Sequence, residues 1–171
     1  MFNLFSKIVN KLKGGIAMSE KYKNDIVEDS YYLIYLFKKD KKEVTQLHVQ
    51  KLMYLFEAYY MNKESVNKLY EPEYRAWAFG PVAIPLYQRY QRYGKNNIEL
   101  SDDELEKGKS IPSERGTLME EIYETFKDFS AMELVNFTHA NGSPWDKAWN
   151  QEKYSIIPKK EIKEWFGQFI E

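Results

Sequence analysis

The amino-acid sequence predicts a mainly α-helical domain with at most a small β-hairpin. Apolar residues recur at helical spacing in several segments, each introduced by a capping residue or a proline. Alternation of the kind that indicates a strand is confined to the stretch from Tyr74 to Phe79. The 171 residues, of which 43% are apolar and 16% aromatic, supply one packed core but not two. We therefore expect a compact single domain of about seven helices.

The first segment, residues 1–13, predicts an amphipathic helix that stops at Gly14-Gly15. Its lysines lie off the apolar stripe. This pattern fits a helix that covers a surface patch and equally one that binds a partner protein, whereas binding at a membrane surface is less favoured. The apolar side chains that would contact a partner are Phe2, Phe5, Ile8 and Val9.

A second interpretation of the N-terminus comes from back-translation. Residues Lys13 to Met18 can be encoded by codons that read as a bacterial ribosome-binding site followed by a start codon. This pattern predicts Met18 as an alternative start of translation. We accordingly divide the chain into an N-terminal extension, residues 1–17, and a domain, residues 18–171.

Two helices are predicted between residues 24 and 62. The first begins at Asn24 or Asp25, either of which can cap an N-terminus. The second is capped by Thr45 and is apolar on nearly all sides, which places it in the middle of the domain. Its polar side chains form one strip of Gln50, Tyr54 and Glu57.

The alternating stretch is followed by a turn and a helix. We expect Gly80-Pro81 to turn the chain into this helix, in which Pro85 is tolerated because it lies in the first turn. Gly94 is expected to end the helix. The next residues, 96–110, are polar and predict a solvated loop with a short strand at Ile98–Leu100.

Capping residues and prolines mark the remaining helices. Ser113 caps a helix that runs to Asp128. Ser130 starts a shorter one, with Glu133 at the capping-box position. The last two helices begin at prolines, which favour the first helical position: Pro144 and Pro158.

The residue types of the chain argue against an enzyme. Cysteine is absent from the sequence, which excludes disulfides and thiolate chemistry and fits a cytoplasmic protein. His48 and His139 are far apart and lack ligand-spaced carboxylates, so we expect neither a metal site nor a cofactor. Ser143 lies near His139 in sequence, but a catalytic triad is recognised by geometry and not by adjacency. No catalytic residue is predicted.

A helix–turn–helix corner is predicted by the stretch FTHANGSPWDKAW, residues 137–149. One helix ends before Asn141-Gly142, which supply the positive φ angles of a turn, and Pro144 restarts the helix. Trp145 is expected to be the apolar anchor of the corner. A neutral His139 can hydrogen-bond across such a turn through either ring nitrogen.

Tyrosines and arginines interleave along the helix that ends at Gly94. Such residues can stack on nucleic acid and neutralise it, but tyrosines three apart also cover the edge of a core. The net charge of −1 adds no support for a nucleic-acid partner. A protein-binding surface fits at least as well. The candidate contacts on this helix are Arg89, Tyr90, Arg92 and Tyr93.

Three segments, in their order and spacing, resemble the Panacea antitoxin domain, a family that includes SocA-like and phage-associated proteins. The segments are QKLMYLFEAYY from Gln50, YRAWAFGPVAIPLYQRYQRYG from Tyr74, and LVNFTHANGSPWDKAW from Leu134. The resemblance covers about residues 25 to 150. Departures from the family pattern are mild, since Ala83 and Ile84 lengthen the Gly-Pro-Val-Pro run and Met53 replaces a more common leucine. The positions carried over are Gln50, Lys51, Tyr54, Trp77, Gly80, Pro81, Val82, Tyr87, Thr138, His139, Pro144 and Trp145.

The resemblance implies a non-enzymatic antitoxin that binds a cognate protein toxin encoded by an adjacent gene. The toxins paired with this family include small alarmone synthetases and proteins that block translation. The SocA-like branch resembles a proteolytic adaptor that delivers its toxin to the ClpXP protease. A DNA-binding autoregulator is a further alternative function. Whether the protein forms a homo-oligomer is left open by the sequence. Cofactors, membrane and nucleic acid are not expected among the partners.

Overall fold

The computed structural model describes residues 24–170. The predictions for residues 1–17, including the four apolar candidate contacts, and for a start at Met18 lie outside the described residues. This part of the chain contains eight α-helices and three short strands, which confirms the predicted mainly helical class. In chain order they are α1 (Ile26–Lys39), α2 (Gln46–Lys63), β1 (Tyr74–Trp77), β2 (Gly80–Ala83), α3 (Ile84–Tyr90), α4 (Asp102–Gly108), α5 (Ser113–Phe126), α6 (Ala131–Thr138), α7 (Pro144–Gln151), β3 (Ile156–Ile157) and α8 (Lys159–Gly167).

Helix α2 lies at the centre of the fold, as its apolar composition predicts. Every residue from Val49 to Met61 is buried. Helices α3, α5, α6 and α8 and strand β2 all pack against α2. The polar strip of Gln50, Tyr54 and Glu57 is therefore buried together with the apolar faces. Polar groups removed from water in this way need hydrogen-bond partners, and two of these side chains find them outside the helix.

Glu57 joins the centre of α2 to two distant parts of the chain. Its Oε1 accepts hydrogen bonds from the backbone N–H groups of Leu69 and Tyr70, both at 2.9 Å. The same oxygen lies 2.7 Å from the ammonium of Lys159, at the start of α8. The carboxylate is fully buried. A buried carboxylate with these partners fixes the loop before β1 and the last helix to the core.

The three strands form one antiparallel sheet in the order β2-β1-β3. The register pairs Tyr74 with Ala83 and Trp77 with Gly80, so the predicted hairpin is present. Gly80-Pro81 does not lead directly into a helix, because both residues pair with β1 and helix α3 begins only at Ile84. The third strand, β3, pairs Ile157 with Tyr74 and extends the hairpin.

The segment from 95 to 112 differs from its prediction. Helix α4 occupies seven residues in the middle of the expected loop, and Ser101 and Glu104 form a capping box at its start. Asp102 and Asp103 lie in its first turn, where acidic side chains favour the helix dipole. The predicted strand at Ile98–Leu100 does not form, and residues 98–100 adopt no regular structure.

Most predicted helix boundaries are confirmed. Asp25 Oδ1 accepts from Val27 N and Glu28 N at 2.8 and 3.2 Å, and Thr45 forms a capping box with His48. Helix α5 begins one residue earlier than predicted, because Pro112 and not Ser113 is its N-cap, and it ends at Phe126 instead of Asp128. None of the described helices is long and apolar enough to cross a bilayer. The predicted starts at Ser130 and Pro144 are confirmed, and the last helix begins one residue later than predicted, at Lys159, with Pro158 as its N-cap.

Candidate functional site

Residues from all three motif segments meet at the β1–β2 hairpin. Helix α2 contributes polar side chains from one side, and the corner between α6 and α7 contributes side chains from the other. We call this set the hairpin anchor. It consists of Gln50, Lys51, Gly80, Thr138 and Trp145.

Gln50 holds the end of strand β2 by two hydrogen bonds. Its amide Nε2 donates to the carbonyl oxygen of Ala83 at 3.2 Å, and its Oε1 accepts from the N–H of Ala83 at 2.9 Å. A side-chain amide thereby pairs with one residue as a neighbouring strand would. Gln50 is buried, so both bonds are shielded from water and both polar groups of Ala83 are satisfied.

Lys51 is a buried lysine with a single hydrogen-bond acceptor among the described residues. Its side chain is 0% exposed, and its Nζ donates to the carbonyl oxygen of Pro81 at 2.9 Å. Burial disfavours the charged form and lowers the pKa of Lys51 to about 7. At neutral pH the amine of Lys51 is therefore protonated in only part of the molecules, and it can donate to the hairpin in either protonation state.

Gly80 allows the hairpin to approach Lys51 and helix α6. Its φ of +101° is a conformation that glycine adopts readily. A Cβ atom at this position would lie 2.7 Å from Cε of Lys51 and 3.0 Å from Oγ1 of Thr138. Glycine is therefore required here by both conformation and space.

The corner between α6 and α7 is built by short-range hydrogen bonds, as the sequence predicts. Ser143 is the N-cap of α7, and its Oγ accepts from Asp146 N at 3.2 Å and donates to the carbonyl oxygen of Thr138 at 3.1 Å. Of the two residues predicted to have positive φ angles, Gly142 has one, of +76°, and Asn141 does not. The N–H of Gly142 donates to Asp146 Oδ2 at 2.9 Å. The hydroxyl of Ser143 thus has a structural role in the turn.

His139 lies flat against the indole of Trp145. The ring centroids are 3.4 Å apart and the planes differ by 3°. His139 Nε2 is buried and has no hydrogen-bond partner among the described residues. Burial, and after it the charge of Lys51, lower the pKa of His139 to about 4. The imidazole is therefore neutral at pH 7, and it packs on the tryptophan through its face.

Trp145 connects the corner to the hairpin. Its indole N–H donates to the carbonyl oxygen of Trp77 at 2.8 Å. The sequence predicted Trp145 as an apolar anchor. In the structure its buried ring also makes a directed hydrogen bond, so its role is both apolar and polar. The ring of Trp77 itself packs edge to face on that of Tyr87, with the ring centroids 4.8 Å apart.

The other motif residues support this arrangement from within the core. Tyr54 is buried and packs edge to face on Tyr74 at 5.0 Å. Val82 is buried in strand β2. Pro144 is the first residue of α7.

The interleaved tyrosines and arginines do not form one exposed stripe. Tyr90 is 0% exposed, and its hydroxyl lies 2.6 Å from that of Ser30. The proposed contact at Tyr90 is therefore corrected, because a core side chain cannot reach a partner. Arg89 is also engaged within the protein, with the carboxylate of Glu104 and the hydroxyl of Tyr31.

The rest of that surface lies in a 3-10 turn, Gln91–Tyr93, that follows the end of helix α3. Arg92 is exposed and its guanidinium donates to the hydroxyl of Tyr93 at 2.9 Å. Tyr93 is half-buried and donates in turn to the carbonyl oxygen of Glu99. Two of the four predicted contacts on this helix thus remain at the surface.

Sequence reasoning missed Glu57 as an anchor and missed Tyr154, which follows α7 and contacts Trp77 and Trp149. A carboxylate in the middle of an apolar helix was the available signal for Glu57, because such a group needs a partner when it is buried. The described residues contain no cluster of three or more histidine and carboxylate side chains that could hold a metal ion.

Comparison with known proteins identifies the family. The model of the antitoxin SocA-like, Panacea domain matches residues 49–146. The chain belongs to this family. The match to the Panacea domain begins in α2 and ends in α7, so it encloses the whole hairpin anchor. Searches of curated proteins and of solved structures found no match.

Proposed function

We propose that this Panacea-domain chain is a cytoplasmic antitoxin that neutralises a protein toxin by binding it directly. Membership of the antitoxin family supports the proposal at the level of the family. The observation that carries it further is the hairpin anchor, in which side chains from α2 and α7 bind main-chain atoms of the hairpin. An anchored hairpin presents its outward side chains in one conformation, which reduces the entropy lost on binding a partner.

The proposed role is that of an inhibitor and requires no catalytic group. A binding protein needs a few well-placed apolar, aromatic and arginine side chains on a rigid scaffold. We expect the toxin to be encoded by an adjacent gene and to be a small alarmone synthetase or a protein that blocks translation. Arg92 and Tyr93 at the end of α3 are candidate contacts.

A growth assay tests the proposal. The open reading frame next to this gene is induced alone and then together with the antitoxin. We expect the neighbour to arrest growth and this chain to restore it. A neighbour that stays toxic in the presence of well-expressed antitoxin would contradict the proposal for this member.

The same assay in cells without the ClpXP protease separates direct inhibition from the adaptor alternative. Direct inhibition predicts equal protection in both strains. Protection that disappears without the protease would establish delivery of the toxin for degradation and overturn inhibition by binding alone.

A further inference from the structure

Three exposed apolar side chains lie on or next to the strands of the sheet. Of the five large hydrophobic side chains that are exposed in the described part of the chain, three lie on or next to the strands: Phe79 at 57%, Tyr154 at 57% and Ile156 at 45%. Phe79 occupies the hairpin turn, two residues after Trp77. The other two, Val66 and Met132, lie elsewhere. Clustered exposed apolar residues mark interaction surfaces more often than single ones do.

Ring contacts link Tyr154 with Trp77, Tyr87 and Trp149. Trp77 contacts Tyr87 at 4.8 Å and Tyr154 at 6.4 Å, and Trp149 contacts Tyr154 at 5.8 Å between ring centroids. Ile156 pairs with Arg75, and residues at two-residue spacing in a strand share one side of a sheet, which places Ile156 with Trp77. We call this surface the hairpin face. It consists of Trp77, Phe79, Tyr87, Trp149, Tyr154 and Ile156.

The hairpin face rests on the hairpin anchor. The carbonyl oxygen of Trp77 accepts the indole N–H of Trp145, whose ring stacks on that of Trp149 at 5.6 Å. Tyr154 donates its N–H to the carbonyl oxygen of Ala76 at 2.9 Å. The exposed rings are thus attached to fixed backbone, which is the condition for an energetically important contact.

Two cationic side chains contact the hairpin face. Arg75 donates from its guanidinium to the carbonyl oxygen of Tyr154 at 3.2 Å, and the ammonium of Lys153 lies 5.3 Å from the ring centre of Trp149. Neither cation forms an ion pair with the residues that the structure describes, although Glu152 is exposed next to Lys153 in the chain. Cations without a carboxylate partner on an aromatic surface fit an acidic partner.

We infer that the hairpin face is the toxin-binding surface, and that the toxin presents apolar side chains bordered by carboxylates. This inference rests on the proposed function. It assigns the principal contact to the sheet, and not to the end of helix α3. Aromatic rings supply the apolar contact area, and Arg75 and Lys153 supply the charge that selects and orients the toxin.

The experiment compares two pairs of aspartate substitutions in the full chain. Phe79→Asp with Tyr154→Asp places charges on the hairpin face, and Val66→Asp with Met132→Asp places the same charges at exposed apolar positions elsewhere. Binding of the purified product of the adjacent open reading frame is measured by calorimetry. We expect the first pair to weaken binding by about 30-fold or more, as for hot-spot residues, and the second by less than about 3-fold. Urea unfolding of each variant shows that the fold is kept.

A second measurement tests the charge of the partner. Arg75→Glu with Lys153→Glu should slow association and abolish much of its dependence on salt, because oppositely charged surfaces attract at low ionic strength. Lys38→Glu with Lys39→Glu, at exposed positions in the last turn of α1, is the matched control.

Each contrary outcome has a distinct meaning. Unchanged binding by the folded Phe79/Tyr154 variant, with wild-type protection intact, overturns the hairpin face but leaves the antitoxin function standing. Loss of binding on Arg92→Glu alone would show that the toxin binds at the end of helix α3 and would overturn the hairpin face. If this chain forms a dimer and the Phe79/Tyr154 variant disrupts it, the hairpin face binds a second copy of the chain. That result would overturn the inference. Failure of wild-type protection is a failure of the proposed function itself.

Discussion

The buried lysine of the hairpin anchor predicts a specific dependence of stability on pH. The pKa of Lys51 is about 7 in the folded protein and 10.5 in the unfolded reference. Between these values the unfolded chain holds a proton that the folded chain has released. Stability rises with pH wherever the unfolded state binds more protons. The contribution of Lys51 is thus least favourable below pH 7 and improves as the pH rises toward 10.5.

The magnitude follows from the two pKa values. Each unit of difference corresponds to about 1.4 kcal/mol, so the whole window from about 7 to 10.5 is worth on the order of 5 kcal/mol. Between pH 7.5 and 9.0 the expected gain is about 2 kcal/mol. His139 titrates below this range, since its pKa is lowered to about 4. The pKa values of the buried Tyr54, Tyr70 and Tyr74 are raised by burial, and these side chains titrate above it.

The test is the variant Lys51→Met, which keeps an unbranched side chain of similar length and removes the titratable amine. Urea unfolding is followed by tryptophan fluorescence and by circular dichroism at several pH values from 7.5 to 9.0, with agreement of the two probes as the check for a two-state transition. Wild-type stability should gain about 2 kcal/mol more than that of the variant. Lys38→Met, at an exposed position in the last turn of α1, controls for the loss of one charge.

Parallel slopes for wild type and Lys51→Met would refute the reasoning. That result would mean that Lys51 keeps its proton in the folded state, and the hydrogen bond to Pro81 would then be a charged one. The prediction concerns only the slope, because the variant loses a hydrogen bond at all pH values and also removes a buried amine.

Two further substitutions test the geometry of the hairpin anchor. Gly80→Ala should destabilise the protein by about 2–4 kcal/mol, because its φ is positive and its Cβ would contact Lys51. Gly94→Ala is the control and should cost less, since Gly94 also has a positive φ but nothing lies within 4 Å of the added Cβ. Equal losses in the urea midpoint would contradict the close approach at Gly80. Trp145→Phe should cost about 1.5–3 kcal/mol through loss of its indole hydrogen bond and of packing, and Trp149→Phe, half-buried, less than about 1 kcal/mol. A thermal denaturation series in which Trp149→Phe is the more damaging would reverse the assigned roles.

Local signals explain why the helix starts could be predicted. Asp25, Thr45 and Ser130 each bind backbone groups within three residues, so the information lies in one short window. The capping box of Ser101 and Glu104 carried the same signal, and helix α4 was missed because the polar composition of the segment outweighed it.

Non-local contacts explain what the sequence could not supply. Strand β3 has two residues and exists only through pairing with β1, far away in the chain. Tyr90 belongs to a regular pattern of tyrosines, but its hydroxyl partner, Ser30, lies 60 positions away. The motif residues could be recognised by resemblance, whereas their meeting at the hairpin depends on contacts such as that of Trp145 with Trp77, which span 68 positions.

In the hairpin anchor, the groups that hold the hairpin in place are different from the side chains that the hairpin presents to solvent. A two-stranded hairpin alone is at best marginally stable in water, so the short β1 and β2 depend on support from outside. Gln50 binds the backbone of Ala83, Lys51 binds the carbonyl of Pro81, and Trp145 binds that of Trp77.

All these bonds end on main-chain atoms, which every residue type carries. Outward side chains such as Arg75 and Phe79 can therefore be replaced without removing any bond of the hairpin anchor. Gly80 is the exception, because its φ and its contacts with α2 and α6 allow no side chain. A domain built in this way can keep its core while the outward side chains of the hairpin change.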